Sequence, residues 1–72
     1  MDPTDSGVLY NVACAFAQVG KTQEAIDCLE KAVTNGFGHK AWLEHDTDLD
    51  SVRSDPRFQG LLQKMDARSN PM

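Results

Sequence analysis

LYNVACAFAQVGKTQEAIDCLEKAV, from Leu9 to Val33, is the stretch that decides how this chain folds. Alanines stand at 13, 25 and 32, and large apolar residues at 9, 12, 16, 26, 29 and 33. Leu9, Val12, Ala13, Phe16 and Val19 recur at spacings of three and four, so they form one stripe of a helix. Ala25, Ile26, Leu29, Ala32 and Val33 do the same for a second helix. Gly20 falls between the two, where glycine takes the left-handed turn that ends a helix at little cost. Two helices joined by two or three residues must run antiparallel. Their small residues allow the backbones to approach closely.

Local signals agree with that hairpin. Thr4, Asp5 or Ser6 is suited to cap the first helix by accepting its free amides, and Thr22 the second. Glu24 lies in the first turn of the second helix, where a negative charge favours the helix dipole, and Lys21 lies near the negative end of the first. Asp27 and Lys31 are four apart in the favourable order, worth about 0.2–0.5 kcal/mol as a pair. Asn35-Gly36 stops the second helix. Tyr10, Asn11, Cys14, Ala17 and Gln18 lie beside or across from the first apolar stripe.

The second half is less regular. Lys40 to His45 gives a short helix with Trp42 and Leu43 as apolar anchors. In HDTDLDSVRSDP, Asp46 or Thr47 is placed to cap a short turn, with Asp50 reaching back as in a capping box. Leu49 and Val52 are the apolar contacts of that turn. Asp55-Pro56 opens a final helix, with aspartate as cap and proline in the first turn. Phe58, Leu61, Leu62 and Met65 share one face of it, and it ends near Arg68. Gly60 weakens it by roughly 1 kcal/mol against alanine. The expected organisation is therefore all-α: one domain over 1–72, with a hairpin at 6–36, a closing unit at 37–68 and a tail at 69–72.

Bulk properties narrow the function classes. A chain of 72 residues forms at most one small domain. Such a domain buries only about 60% of its unfolded surface, so the hairpin alone cannot hide its apolar face. Trp42, Leu43, Leu49, Phe58, Leu61 and Leu62 are expected to cover it. No apolar run approaches the ~20 residues of a membrane helix. The start MDPTDSG has neither the basic nor the apolar region of a signal peptide. A net charge of −4 argues against nucleic acid, whose phosphates need a basic face. Cys14 and Cys28 sit on different helices in apolar faces and read as free buried thiols, which points to the cytoplasm.

Candidate chemistry is sparse. Asp46, Asp48 and Asp50 have the opening spacing of a calcium loop. Ser51 then stands where the turn needs glycine, and Arg57 where a bidentate glutamate belongs. His39 and His45 are six apart and fall on different helical faces, unlike metal motifs spaced by three or four. Cys14 has no nearby histidine, and burial makes a thiol inert. No phosphate loop, dinucleotide motif or nucleophile elbow is present. The expectation is no enzyme activity, no cofactor and no metal.

Ser6 to Thr34 resembles a single tetratricopeptide repeat. Leu9 is similar to the residue that opens the repeat, Val12 and Ala13 to its apolar-then-small pair, Phe16 to its aromatic and Gly20 to its inter-helix glycine. Ala25, Leu29 and Ala32 are similar to its small, large, small series. Phe37 replaces the usual closing proline, and Lys21 the usual aspartate. The remainder, WLEHDTDLDSVRSDPRFQGLL, is similar to the ending of bacterial tetratricopeptide arrays. The resemblance implies a hairpin followed by a degenerate second repeat or cap, acting in protein–protein interaction as a scaffold without catalysis. By the same resemblance, Tyr10, Asn11, Cys14, Ala17 and Gln18 face a groove for a protein or peptide partner. Tyr10 and Cys14 replace the charged clamp that grips a peptide carboxylate, so that form of binding is not expected. The alternative is a structural cap or regulatory C-terminal segment of a larger multidomain bacterial protein. Arrays usually need about three units. A lone unit leaves Val8, Phe16 and Val19, with Cys14 and Tyr10, as an apolar edge, and a weak two-fold homodimer is expected there.

Overall fold

Two glycines with positive φ, Gly20 at 81° and Gly36 at 107°, set the path of the chain. Each follows a helix and closes it in the same way. After helix α1 (Ser6–Gln18), the amide of Lys21 donates to the Phe16 carbonyl at 2.9 Å and that of Gly20 to Ala17 at 3.2 Å. After α2 (Thr22–Thr34), the amide of Phe37 donates to Ala32 at 2.9 Å and that of Gly36 to Val33 at 3.1 Å. Both are Schellman motifs, in which a left-handed glycine lets two amides satisfy otherwise orphaned carbonyls. The residue after such a glycine commonly makes an apolar contact with the last turn, and this is why Phe37 turns inward and is buried.

The computed structural model describes residues 5–69. Thr4 as a candidate cap and residues 70–72 of the expected tail lie outside them, and Ser69 belongs to the last helix. All elements among the described residues are helical: α1, α2, α3 (Lys40–His45), a 3-10 segment (Thr47–Val52) and α4 (Pro56–Ser69). α1 and α2 pack along each other as the expected hairpin, and the 3-10 segment lies against both. α4 meets α2 and α3.

The caps follow local chemistry. Asp5 Oδ1 accepts from the amides of Gly7 at 2.8 Å and Val8 at 3.2 Å. Thr22 is not the cap of α2; Lys21 occupies that position, and no side chain bonds to the free amides. Asp46 caps the 3-10 segment by accepting from the Asp48 amide at 2.9 Å. Asp50 does not reach back as a capping box requires, because it pairs with Arg53 instead. The Arg53 guanidinium also donates to the Asp46 carbonyl at 2.6 Å and to Leu43 at 3.3 Å, tying the end of α3 to the 3-10 segment. Asp55 caps α4 through the Arg57 amide at 2.9 Å.

A single apolar cluster joins the elements. Ala13, Ala25, Ile26, Leu29, Ala32, Leu43, Leu49, Val52 and Phe58 are all fully buried in it. The first helix departs from expectation. Val12 and Val19 are exposed, Val19 at 69%, while Tyr10, Ala13, Cys14 and Ala17 are buried. The 3-10 segment packs on the Tyr10 side of α1, so the buried face is broader than the sequence stripe and displaced from it. Ser51 Oγ donates to the Ala17 carbonyl at 3.0 Å and pins that contact. Trp42, expected in the cover, stays 53% exposed. Asp27 faces α4 rather than Lys31. The Arg57 guanidinium donates to Asp27 at 2.6 Å, Gln23 at 2.7 Å and Glu30 at 3.0 Å, linking α4 to α2.

Two substitutions test this packing. Ala25 has no exposed surface, so Ala25→Leu is expected to cost about 1–3 kcal/mol by overpacking and to lower the urea midpoint. Nothing lies within 4 Å of a Cβ added at Gly60. Gly60→Ala is expected to stabilise the fold by about 0.5–1 kcal/mol and raise the midpoint, because only the entropic cost of glycine is removed.

Candidate functional site

The chemistry-bearing side chains gather where α3 and the 3-10 segment meet the first helix. Tyr10 projects from α1 beneath them and is 5% exposed. Its hydroxyl donates to Asp46 Oδ2 at 2.5 Å and lies 3.5 Å from the Trp42 carbonyl. Its ring stacks on Phe37 at 4.9 Å between centroids and meets Trp42 edge-on at 5.8 Å. Trp42 in turn stacks on His39 at 4.6 Å and contacts Phe37 at 5.9 Å. Offset and edge-to-face pairs of this kind add stabilisation beyond the area they bury. The result is a fixed aromatic group with one partly open ring, that of Trp42.

Asp46 holds the polar side of the same place. One carboxylate oxygen accepts from Tyr10 and the other from the Asp48 amide. Ala41, Trp42, His45 and Asp46 line an open depression of about 390 Å3. Trp42 and Asp46 are four residues apart at the end of α3, which puts them on one side of it.

Ligand atoms of Cys14, Asp46 and Asp48 all lie within 4.8 Å of one another, a grouping the linear sequence did not suggest. Burial, and then the Asp46 and Asp48 charges, push the Cys14 thiol up, against a hydrogen bond with Tyr10 that lowers it. A thiol kept protonated is a poor nucleophile. It is also a poor start for a metal site, since thiols ligate as thiolates. Both Asp46 oxygens are already accepting hydrogen bonds. Tyr10 is pushed up far more strongly, by burial first and then by its bond to Asp46.

The five residues expected along a groove separate. Tyr10, Cys14 and Ala17 enter the core, while Asn11 and Gln18 are exposed. They therefore do not line a common open surface, because the 3-10 segment occupies that side of α1. The edge expected to pair two copies loses Tyr10 and Cys14 for the same reason. His39 and His45 are outside the core, and His39 is the platform under Trp42. The part played by Phe37 and Asp46 was missed. The Asn35-Gly36 stop was the signal for Phe37, since an apolar residue just after such a glycine turns back on its helix.

Residues 3–71 match the family described as A/B hydrolase-like, N-terminal domain. Among curated proteins, the chain is similar to a chloroplastic protein of Arabidopsis thaliana, at 32% identity over 57 residues. That similarity takes in 79% of this chain and 17% of the relative, so the chain spans about a sixth of that protein's length. No solved structure matches at comparable significance. The match corrects the resemblance to tetratricopeptide repeats, since no tetratricopeptide family is found. The scaffold function and the alternative as the end of a bacterial array fall with it. The physical reason is plain: small residues interleaved with large ones meet the demands of any close helical hairpin, so they identify the packing and not the family.

The Tyr10 environment has a measurable consequence. Its folded pKa lies above the ordinary value of 10.0. Its share of stability is then fully present below about pH 10 and is lost as pH rises through the folded value. The raised thiols of Cys14 and Cys28 begin a similar loss lower, above about pH 8.5. Tyr10→Phe is expected to cost about 1.5–3 kcal/mol at neutral pH, as for a hydrogen bond to a charged group. It is also expected to flatten the fall in stability above pH 10. Urea melts of both proteins between neutral and strongly alkaline pH check both parts.

Proposed function

Because the chain belongs to the A/B hydrolase-like, N-terminal domain family, we propose that it is a helical domain serving a hydrolase-fold unit and supplies no reacting group itself. The observation that carries this reading is the extent of the match, 3–71, which takes in every element of the fold. A hydrolase of that fold presents its nucleophile on a sharp strand-to-helix turn, with base and oxyanion donors around it. The described residues contain helices alone. Their buried thiol is held protonated and their buried phenol is committed to Asp46. In this reading the reacting groups stand in the hydrolase-fold unit, and the helical domain bears on that unit through its surface.

The partner is then protein. The acidic balance of the chain disfavours nucleic acid. Among the described residues, no helix is long and apolar enough to cross a membrane. The free cysteines Cys14 and Cys28 support a reducing compartment, with the cytoplasm as the proposed setting.

Two measurements test the reading. The purified chain is expected to hydrolyse p-nitrophenyl acetate and butyrate no faster than buffer. Turnover that Cys14→Ser abolishes would overturn the non-catalytic half. Cross-linking in the cells of origin, followed by fluorophosphonate labelling, is expected to place a reactive serine hydrolase in the same polypeptide or in its cross-linked complex. A native assembly without such a serine would overturn the hydrolase half.

A further inference from the structure

We propose that the outer face of α1 pairs two copies of this chain, the two helices running antiparallel about a two-fold axis. The inference stands on α1 and the residues at its ends, and does not depend on the hydrolase reading. At about 100° per residue, Val8, Val12, Ala15 and Val19 fall in one sector of the helix, opposite Tyr10, Ala13 and Ala17. Val12, Ala15 and Val19 are exposed and Val8 is half-buried. Leu9 and Phe16 border the sector on one side and are only partly buried. Asn11 and Gln18 border it on the other and are exposed. The helix is therefore apolar on the face turned from the core as well as on the face turned toward it. A soluble helix that is apolar all round is a buried helix, so this face calls for a cover.

Charge narrows what that cover is. α1 contains no acidic or basic residue, whereas α2, α3, the 3-10 segment and α4 all carry them. The centres of protein interfaces are depleted of charge in this way. Two copies with a net charge of −4 each repel one another where their acids meet, and the outer face of α1 is free of that repulsion. The charges that border the face stand at its two ends, Asp5 as the cap before it and Lys21 just beyond Gly20. Lys21 has a loose pair with Glu24 at 3.8 Å, with both side chains more than half exposed. Antiparallel pairing brings Asp5 of each copy toward Lys21 of the other, twice by symmetry. Parallel pairing would set Asp5 against Asp5. End charges of this kind fix orientation and register.

Shape agrees with the antiparallel arrangement. Positions 8, 12, 15 and 19 step by four, three and four, the seam spacing of paired helices. With the axis between Val12 and Ala15, Val12 meets Ala15 of the second copy and Val8 meets Val19. A large residue then faces a small one at the centre, whereas parallel pairing would set alanine against alanine and leave a gap. The contact is self-complementary, as a two-fold interface requires. Tyr10 and Cys14 lie in the core and take no part in it.

Sedimentation of the whole chain from about 20 µM to about 2 mM is expected to show a dimer that grows with concentration, as mass action requires. Amide shifts that move with concentration are expected at 8–19 and not at 41–48. Val12→Glu, with unchanged circular dichroism, is expected to weaken association at least about tenfold, because pairing would bury an unmatched charge. Val19→Glu, at a position 69% exposed, is expected to do the same and serves if Val12→Glu disturbs the fold. Mixing Val12→Glu with Ala15→Lys, each monomeric alone, is expected to restore a dimer, since antiparallel pairing sets residue 12 against residue 15. A monomer at the highest concentration would overturn the proposal and leave the face to the hydrolase-fold unit. Association that survives both glutamate variants would place the contact elsewhere and equally overturn it. So would a mixture that stays monomeric, because it removes the antiparallel register.

Discussion

The Tyr10 phenol is the point at which the two halves of the chain are joined, and much of the arrangement around it follows from burying that one polar group. A buried hydroxyl without a partner carries a penalty of about 1–3 kcal/mol. Asp46 supplies the partner, and in doing so it fixes where α3 ends and the 3-10 segment begins. Once Tyr10 is placed, Phe37 stacks on it and the turn after α2 is held to α1. Trp42 then has no room in the core and lies across the outside of the aromatic group. The exposed indole is thus a consequence of which aromatic residue took the interior position.

The small size of the chain makes this joint necessary. The hairpin buries the alanine-lined contact between α1 and α2, but it leaves the Tyr10, Cys14 and Ala17 side of α1 open to water. Leu49 and Val52 close that side, and Phe58, Leu61 and Met65 extend the same cluster from α4. Charged staples then set the angle of approach. Arg57 links α4 to three side chains of α2, and Arg53 holds the carbonyls at the end of α3. Surface pairs of this type contribute little each, about 0–1 kcal/mol. Their value lies in register, because each ties one element to another.

The hairpin was legible because its signals are local. Periodicity, the two stop glycines and the Asp55-Pro56 start each act within one or two turns, and each is present in the structure. The face of α1 was not legible to the same degree. Tyr10 and Cys14 are buried by residues far along the chain, and no pattern within α1 states which side that segment will cover. Trp42 misled for a related reason: apolar size argues for burial, but Tyr10 stacks on Phe37 inside the core while Trp42 meets both only edge-on from the outside. The candidate site shared this limit. Asp46 could be read as a cap, which it is, whereas its bond to Tyr10 exists only through tertiary contact. The family was misread because spacing of small and large residues reports helix packing, which unrelated families share.

Charge distribution connects the fold to its surface. The chain has eleven acids against seven lysines and arginines, and the described cations that bridge elements are used more than once. Arg57 meets Asp27 and Glu30, and Lys40 meets Glu44 and Asp66. Asp5 and Asp55 are consumed as helix caps. Asp46 is used in the same way, as cap of the 3-10 segment and acceptor for Tyr10, while the nearest arginine is drawn to Asp50 and to backbone carbonyls. The same segment closes the core over Tyr10, and Asp46 at its start lines the depression beside the half-exposed Trp42. Closing the core over Tyr10 and setting Asp46 beside the half-exposed indole are therefore one structural event.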